Sequence, residues 1–300
     1  MRPPHPFPPP RGGRVREGVI PHSEFRILEM ITSPSNPKIK DLRLLKQAKH
    51  RQARGEYFIE GVRLAEEAFG SGQAVRRIVY SPRLENTPRG AALLYLARKK
   101  FPTAEWLYVS DQVLDSLSDT RTHQGILAIL ERREHRWEDL QKRGGLILLL
   151  CELQDPGNLG TIFRVTEAGK GGGLVLSRGT IDPFNPKVVR ASMGSLFRLP
   201  FLVDQDPVDS LRVFRSLGCR VWATAAGEGT PLWEVDLNLP AAVLFGQEGA
   251  GLPAELVEAA DGVLTIPMNP EVNSLNVAVS AGLVVYEALR QRTIKAASGE

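Results

Sequence analysis

Five short, almost wholly apolar segments in the second half of the chain, residues 146–151, 173–176, 220–223, 241–245 and 263–266, are separated by stretches of helical character. Strands that are apolar on both faces and alternate with helices belong to a parallel sheet covered on both sides, which places this half in the α/β class. In an open sheet of that kind, ligands sit beyond the carboxyl ends of the strands. The loops that follow Cys151, Phe245 and Ile266 are therefore where chemistry is expected.

The first half reads differently. Residues 1–29 hold a Pro/Arg-rich tail, with six prolines in the first ten positions, and are expected to be disordered. Export is not expected, because no apolar central stretch is present, and six prolines oppose the amphipathic helix of an organelle presequence. Met30, where ordered sequence resumes, is an alternative start. Residues 30–137 read as a small α/β domain with strands at 57–60, 75–80, 105–109 and 125–130 and helices at 37–52, 62–69 and 91–100. A polar linker ending in Gly-Gly is expected over 138–145, and a second domain over 146–300. The longest apolar run, 146–150, is too short to cross a membrane. Two widely spaced cysteines, Cys151 and Cys219, read as buried free thiols and cannot assemble a zinc site, so no metal is expected.

Net charge is +4, from 38 Lys and Arg against 34 Asp and Glu. Residues 1–144 hold 26 cations and 17 acids, an excess of nine, whereas residues 145–300 hold 12 and 17, a deficit of five. The concentration is sharpest where Lys38, Lys40, Arg43, Lys46, Lys49, Arg51 and Arg54 face one acid, Asp41, with Ile39, Leu42 and Leu45 at helical spacing. That is a basic amphipathic helix, and cations so close together repel unless something neutralises them. Phosphate backbone is the expected partner.

Three loops carry the candidate chemistry. After Cys151, the turn Asp155-Pro156-Gly157 leads into a helix expected to begin at, and be capped by, Asn158, with Arg164 two turns on. After Phe245, Gly246, Gly249 and Gly251 surround Glu248, a glycine density that lets backbone approach a ligand closely. After Ile266, Ser274 and Asn276 stand at the start of a long helix, 277–290, where free N–H groups favour negative charge. Capping explains Ser274 more readily than Asn276. The three spaced glycines of a dinucleotide fold and a phosphate loop are both absent, which disfavours an oxidoreductase or a kinase.

Taken in order, Asn158-x-Gly160-x-x-x-Arg164, Gly246-x-Glu248-x-x-Gly251-Leu252 and Ile266-Pro-Met268 with Ser274-Leu-Asn276-Val277 resemble the three motifs of the SpoU (TrmH) family of RNA ribose methyltransferases. Residues 185–200 are also similar to family sequence, and the basic front resembles the substrate-binding domain often fused before it. Pro270 departs from the glycine common in the family. The resemblance implies a trefoil-knotted parallel-sheet methyltransferase domain behind a small α/β RNA-binding domain, a cytoplasmic homodimer, and S-adenosylmethionine as cofactor. It implies cofactor contacts at Gly246, Gly251, Ile266, Met268 and Leu275. Asn158, Arg164, Glu248, Ser274 and Asn276 fall at its catalytic and structural positions, with Glu248 tying down the glycine loop. Ribosomal RNA of the 23S type is the expected substrate. A tRNA enzyme and a non-catalytic RNA-binding or ribosome-assembly factor are the alternatives.

Overall fold

A computed structural model of the protein describes residues 28–298 apart from 121 and 228, so the expectation for most of the tail lies outside the described residues. The chain divides between Arg132 and Arg133 into two units.

The first unit runs α1 (Pro37–Arg43), α2 (Ala48–Arg54), β1 (Glu56–Glu60), α3 (Val62–Gly70), β2 (Val75–Tyr80), α4 (Pro82–Glu85), α5 (Pro88–Lys100), β3 (Glu105–Tyr108), α6 (Asp111–Leu117) and β4 (Ile126–Glu131). Its sheet has the order β1-β4-β2-β3, with β4 antiparallel to both neighbours and β2 parallel to β3. Ile39, Leu42 and Leu45 are buried in its core, as their helical spacing requires.

The expected single basic helix is broken. It leaves α1 through a tight turn at Leu44–Lys46 and an extended Gln47 (φ −95°, ψ 133°) before α2 begins. Arg51 sits under the break, 2% exposed, with Nη1 donating to the carbonyls of Leu45 and Lys46 at 2.9 Å each. A cation that satisfies orphaned helix carbonyls in the interior cannot reach a phosphate, so Arg51 is corrected from RNA contact to structural residue. The repulsion among the others is also answered largely within the unit. Lys38 pairs with Glu105, Lys46 with Asp119 and Arg54 with Asp41, and Arg43 donates to Ser116 Oγ at 3.0 Å. Lys40 and Lys49 remain exposed.

The second unit runs α7 (Trp137–Arg143), β5 (Ile147–Leu150), α8 (Pro156–Ala168), β6 (Gly173–Ser177), α9 (Pro186–Ala191), β7 (Phe201–Gln205), α10 (Pro207–Ser216), β8 (Arg220–Thr224), β9 (Thr230–Pro231), β10 (Ala241–Phe245), α11 (Ala254–Ala259), β11 (Gly262–Thr265) and α12 (Val277–Ser298). Its seven strands are all parallel, in the order β7-β6-β5-β10-β8-β11-β9. β5, β6 and β10 are buried along their whole length, which is why they carry no polar alternation. The expected linker is largely helical. Leu140 of α7 is fully buried in this unit's core, and the Trp137 ring stands edge-on to Phe214 at 5.5 Å. Two apolar anchors inside a polar stretch outweigh its loop-like composition, and α7 belongs to the second unit.

Register sets the site. Phe245 of β10 lies beside Leu150 of β5, Leu244 beside Ala223 of β8, and Leu264 of β11 beside Thr224. Four strands thus end together, and the loops after them emerge at one edge. On the flank, α8 packs closely on α9. A Cβ on Gly160 would fall 2.4 Å from Ala191 Cβ and 2.9 Å from the Val188 carbonyl oxygen, so only glycine permits this approach.

Candidate active site

The loop after β5 turns into α8 through Asp155, whose Oδ1 accepts the Asn158 N–H at 2.7 Å with Pro156 at the first helical position. Asp155 is therefore the cap, and Asn158 lies inside the first turn. The Asp-Pro pair was the signal for this, since proline favours the position just inside a helix start. Freed from capping, the Asn158 side chain donates from Nδ2 to Glu248 Oε1 at 2.9 Å and accepts at Oδ1 from Asn276 Nδ2 at 2.9 Å.

Asn276 is the cap of α12, its Oδ1 accepting from the N–H groups of Ala278 (2.9 Å) and Val279 (3.3 Å). This reverses the expectation that capping falls to Ser274. Glu248 closes the set, its carboxylate also accepting the N–H groups of Gln154 (3.2 Å) and Asp155 (3.3 Å). A single line of hydrogen bonds thus joins the loops after β5, β10 and β11. Burial pushes the Glu248 acid up. The Asn158 amide, its own N–H and those of Gln154 and Asp155 outweigh that and hold it below the ordinary carboxylate value. Through these bonds the carboxylate ties the glycine loop to the loop after β5.

Beside this line lies a cavity of about 690 Å³, within the range of small-molecule sites. Gly246, Glu248, Gly251, Ile266, Met268, Ser274, Leu275 and Asn276 all line it. The glycine loop is a closed hairpin, with Gln247 and Gly251 exchanging N–H to carbonyl bonds at 3.2 and 3.0 Å. Sequence reasoning missed the wall formed by Thr224 at the end of β8 and by Ala225 and Ala226 after it. The rule that pointed to the other three loops applied equally there.

Glu248 carries the one formal charge in this lining. The other walls are apolar side chains, small residues and neutral amides or hydroxyls. A lining with one anion and no Lys or Arg suits a cationic ligand and opposes a polyphosphate. It fits S-adenosylmethionine, whose sulfonium is positive. Its backbone amides and apolar walls at Ile266, Met268 and Leu275 match an adenosyl group.

Arg164 does not line the cavity. Six residues beyond Asn158, it is displaced about 9 Å along α8 and roughly 120° around it. It is exposed and, among the described residues, its side chain has no hydrogen-bond or ion-pair partner. Burial pushes the Cys151 thiol up to about 12, leaving it neutral and chemically idle. Among the described residues, no group of three or more His, Cys, Asp or Glu is placed to hold a metal, and no helix is long and apolar enough to cross a membrane.

Residues 145–286 match the SpoU rRNA Methylase family, and residues 36–128 match the MRM3-like substrate binding domain. The chain is 36% identical, over 87% of its own length and 94% of the relative's, to an uncharacterized tRNA/rRNA methyltransferase of Synechocystis. It is 33% identical, over 86% of its length and 98% of the relative's, to the 23S rRNA (guanosine(2553)-2′-O)-methyltransferase RlmP of Bacillus subtilis. Among solved structures, the AdoMet-bound rRNA methyltransferase from Sinorhizobium meliloti superposes with a TM-score of 0.75 at 32% identity, covering 88% of this chain and 98% of that one. AviRb from Streptomyces viridochromogenes, in complex with AdoMet, gives 0.76 at 28% identity, covering 86% and 98%.

Proposed function

The chain belongs to the SpoU rRNA methylase family, and from that premise we propose how its own residues divide the work of methyl transfer. It is an RNA ribose 2′-O-methyltransferase that uses S-adenosylmethionine, and ribosomal RNA is favoured over tRNA as its substrate. Relatives named for guanosine and for uridine both match more than four fifths of this chain, which supports leaving the choice of base to contacts outside the cofactor cavity. The single observation that carries the cofactor reading is the cavity lining, one anion and no cation.

When bound, S-adenosylmethionine supplies a methyl group on a sulfonium, an electrophile with a neutral leaving group. The protein's task is to set a ribose 2′-oxygen in line with that methyl, exclude water and ease loss of the hydroxyl proton. Ser274 and Asn276, on the cavity wall, orient the hydroxyl. Glu248 and Asn158 hold the loops at the spacing this requires. Arg164 is not the base, because a guanidinium stays protonated in proteins. It grips the phosphate next to the target ribose and stabilises the developing alkoxide. The front unit, with Lys40 and Lys49 open to solvent, supplies further RNA attraction.

Arg164 lies outside its own chain's cavity, and this supports a homodimer in which it serves the partner's site. α12, packed against α8, exposes Val279 (52%), Leu283 (44%) and Tyr286 (51%) at spacings of four and three, an apolar stripe suited to a second copy. The trefoil knot and a cytoplasmic place of action belong to the same reading.

Mapping 2′-O-methyl sites in ribosomal RNA with and without the gene tests the function, and an unchanged map would refute it. Mixing inactive Arg164→Ala with inactive Asn276→Ala chains tests the shared site. Random pairing should restore about a quarter of wild-type activity if Arg164 acts across the dimer, and none if it acts within its own chain.

A further inference from the structure

Four arginines of the second unit are matched by acids. Arg198, Arg212, Arg215 and Arg290 lie beside Glu167, Asp209, Asp261 and Glu287. Arg178, Lys187 and Arg190 are not: all three are exposed, and among the described residues none of their side chains has a hydrogen-bond or ion-pair partner. Three unmatched cations in a half of the chain with an acidic excess call for an external anion.

Their placement says which one. Arg178 opens the loop after β6, which is tied to the loop after β5. Gln154 Nε2 donates to the Gly179 carbonyl at 2.7 Å, and the Ile181 N–H donates to the Leu153 carbonyl at 2.8 Å. Gln154 is the residue whose N–H also donates to Glu248, so Arg178 stands close to the catalytic loops. Lys187 and Arg190 are three apart on one face of α9, and α9 is packed onto α8 where Gly160 meets Ala191. Arg164 follows Gly160 by four residues on the same row of α8. Of the nearby acids among the described residues, Asp182 accepts the Phe184 N–H at 2.9 Å, and none is in an ion pair with these three cations.

We propose that Arg178, Lys187 and Arg190 form a phosphate track on the methyltransferase unit itself, holding the RNA backbone that flanks the target nucleotide. The inference rests on the RNA methylation reading above. The front unit is then not the sole source of RNA affinity, and the catalytic unit sets the register of the strand by gripping phosphates while leaving bases unread.

The test uses the full chain carrying Arg178→Gln, Lys187→Gln and Arg190→Gln together. S-adenosylmethionine affinity and the melting temperature should be unchanged, since these side chains are exposed and lie outside the cavity lining. The slope of log affinity for single-stranded RNA against log salt should become shallower by about two, and KM for RNA should rise about tenfold with kcat nearly kept. Arg178→Lys with Arg190→Lys should retain the wild-type slope, and Arg212→Gln, from a matched pair, should change nothing. An unmoved slope and KM in the triple variant, with wild-type methylation intact, would overturn the track alone and leave an acidic protein surface as the occupant. Failure of the wild type to methylate RNA would remove the parent reading and this inference with it.

Discussion

Gly246→Ala should abolish S-adenosylmethionine binding, by at least about two orders of magnitude, in a chain that still folds. The new Cβ would lie 2.1 Å from the Gly251 carbonyl carbon, 2.2 Å from its oxygen and 2.3 Å from the Leu252 nitrogen. All three are backbone atoms of the same short hairpin, so no side chain can swing aside. Relief requires opening the Gln247 to Gly251 bonds and moving the cavity wall by more than an ångström. β10 itself ends at Phe245 and is buried between β5 and β8, so the sheet should hold. Calorimetric titration with the cofactor, alongside a thermal melt, separates the two effects. Ala254→Ser, exposed at the start of α11 and outside the cavity lining, should bind normally. Near-normal binding by Gly246→Ala would mean the hairpin is soft and the loop geometry is not what shapes the cavity.

Glu248→Gln should lower kcat by about a hundredfold while shifting cofactor affinity much less. The carboxylate accepts from Gln154, Asp155 and Asn158 and has no hydrogen to donate. An amide in its place points two hydrogens at a set of donors, so at least one bond becomes a repulsion and the Asn158 amide loses its anchor. Asn158 in turn fixes Asn276, which carries the disturbance to the wall proposed to orient the 2′-hydroxyl. A double-mutant cycle on Asn158→Ala and Asn276→Ala should show strong non-additivity, as expected of residues acting as one unit. The pH dependence has a definite sign. The folded-state acid of Glu248 is held below its ordinary value of 4.5, so the ionised brace stabilises the protein above that pH and its contribution is lost as pH falls through the lowered value. Melting curves of wild type and Glu248→Gln should stay apart at neutral pH and converge below pH 4.5. Parallel curves down to strong acid would show that Glu248 contributes nothing as a carboxylate.

Much of this site was legible because two local signals coincide with a global one. Continuous apolar strands announce a parallel sheet, and glycine density and helix starts mark the loops at its carboxyl edge. What escaped depends on distant partners. The strand order, with β10 between β5 and β8, follows from which strands find each other, and no segment carries that information alone. α7 looked like a linker because its two anchoring residues, Trp137 and Leu140, are meaningful only against Phe214 and the core around it. Arg51 counted as one more surface cation until the helix broke above it and left carbonyls to satisfy. At the start of α12, serine and asparagine cap equally well by type, and only the position of Asn158 decides between them.

That last choice explains an identity as well as a position. Were helix capping the sole demand at residue 276, aspartate would serve as well as asparagine, since either presents an oxygen to Ala278 and Val279. An aspartate, however, has no hydrogen to offer Asn158, and two oxygens would then face each other across the gap. The amide is the one group of this size that can hold a helix with one end and the catalytic loops with the other. The first turn of α12 and the chemistry beside it therefore share a single side chain, and neither can be redesigned without the other.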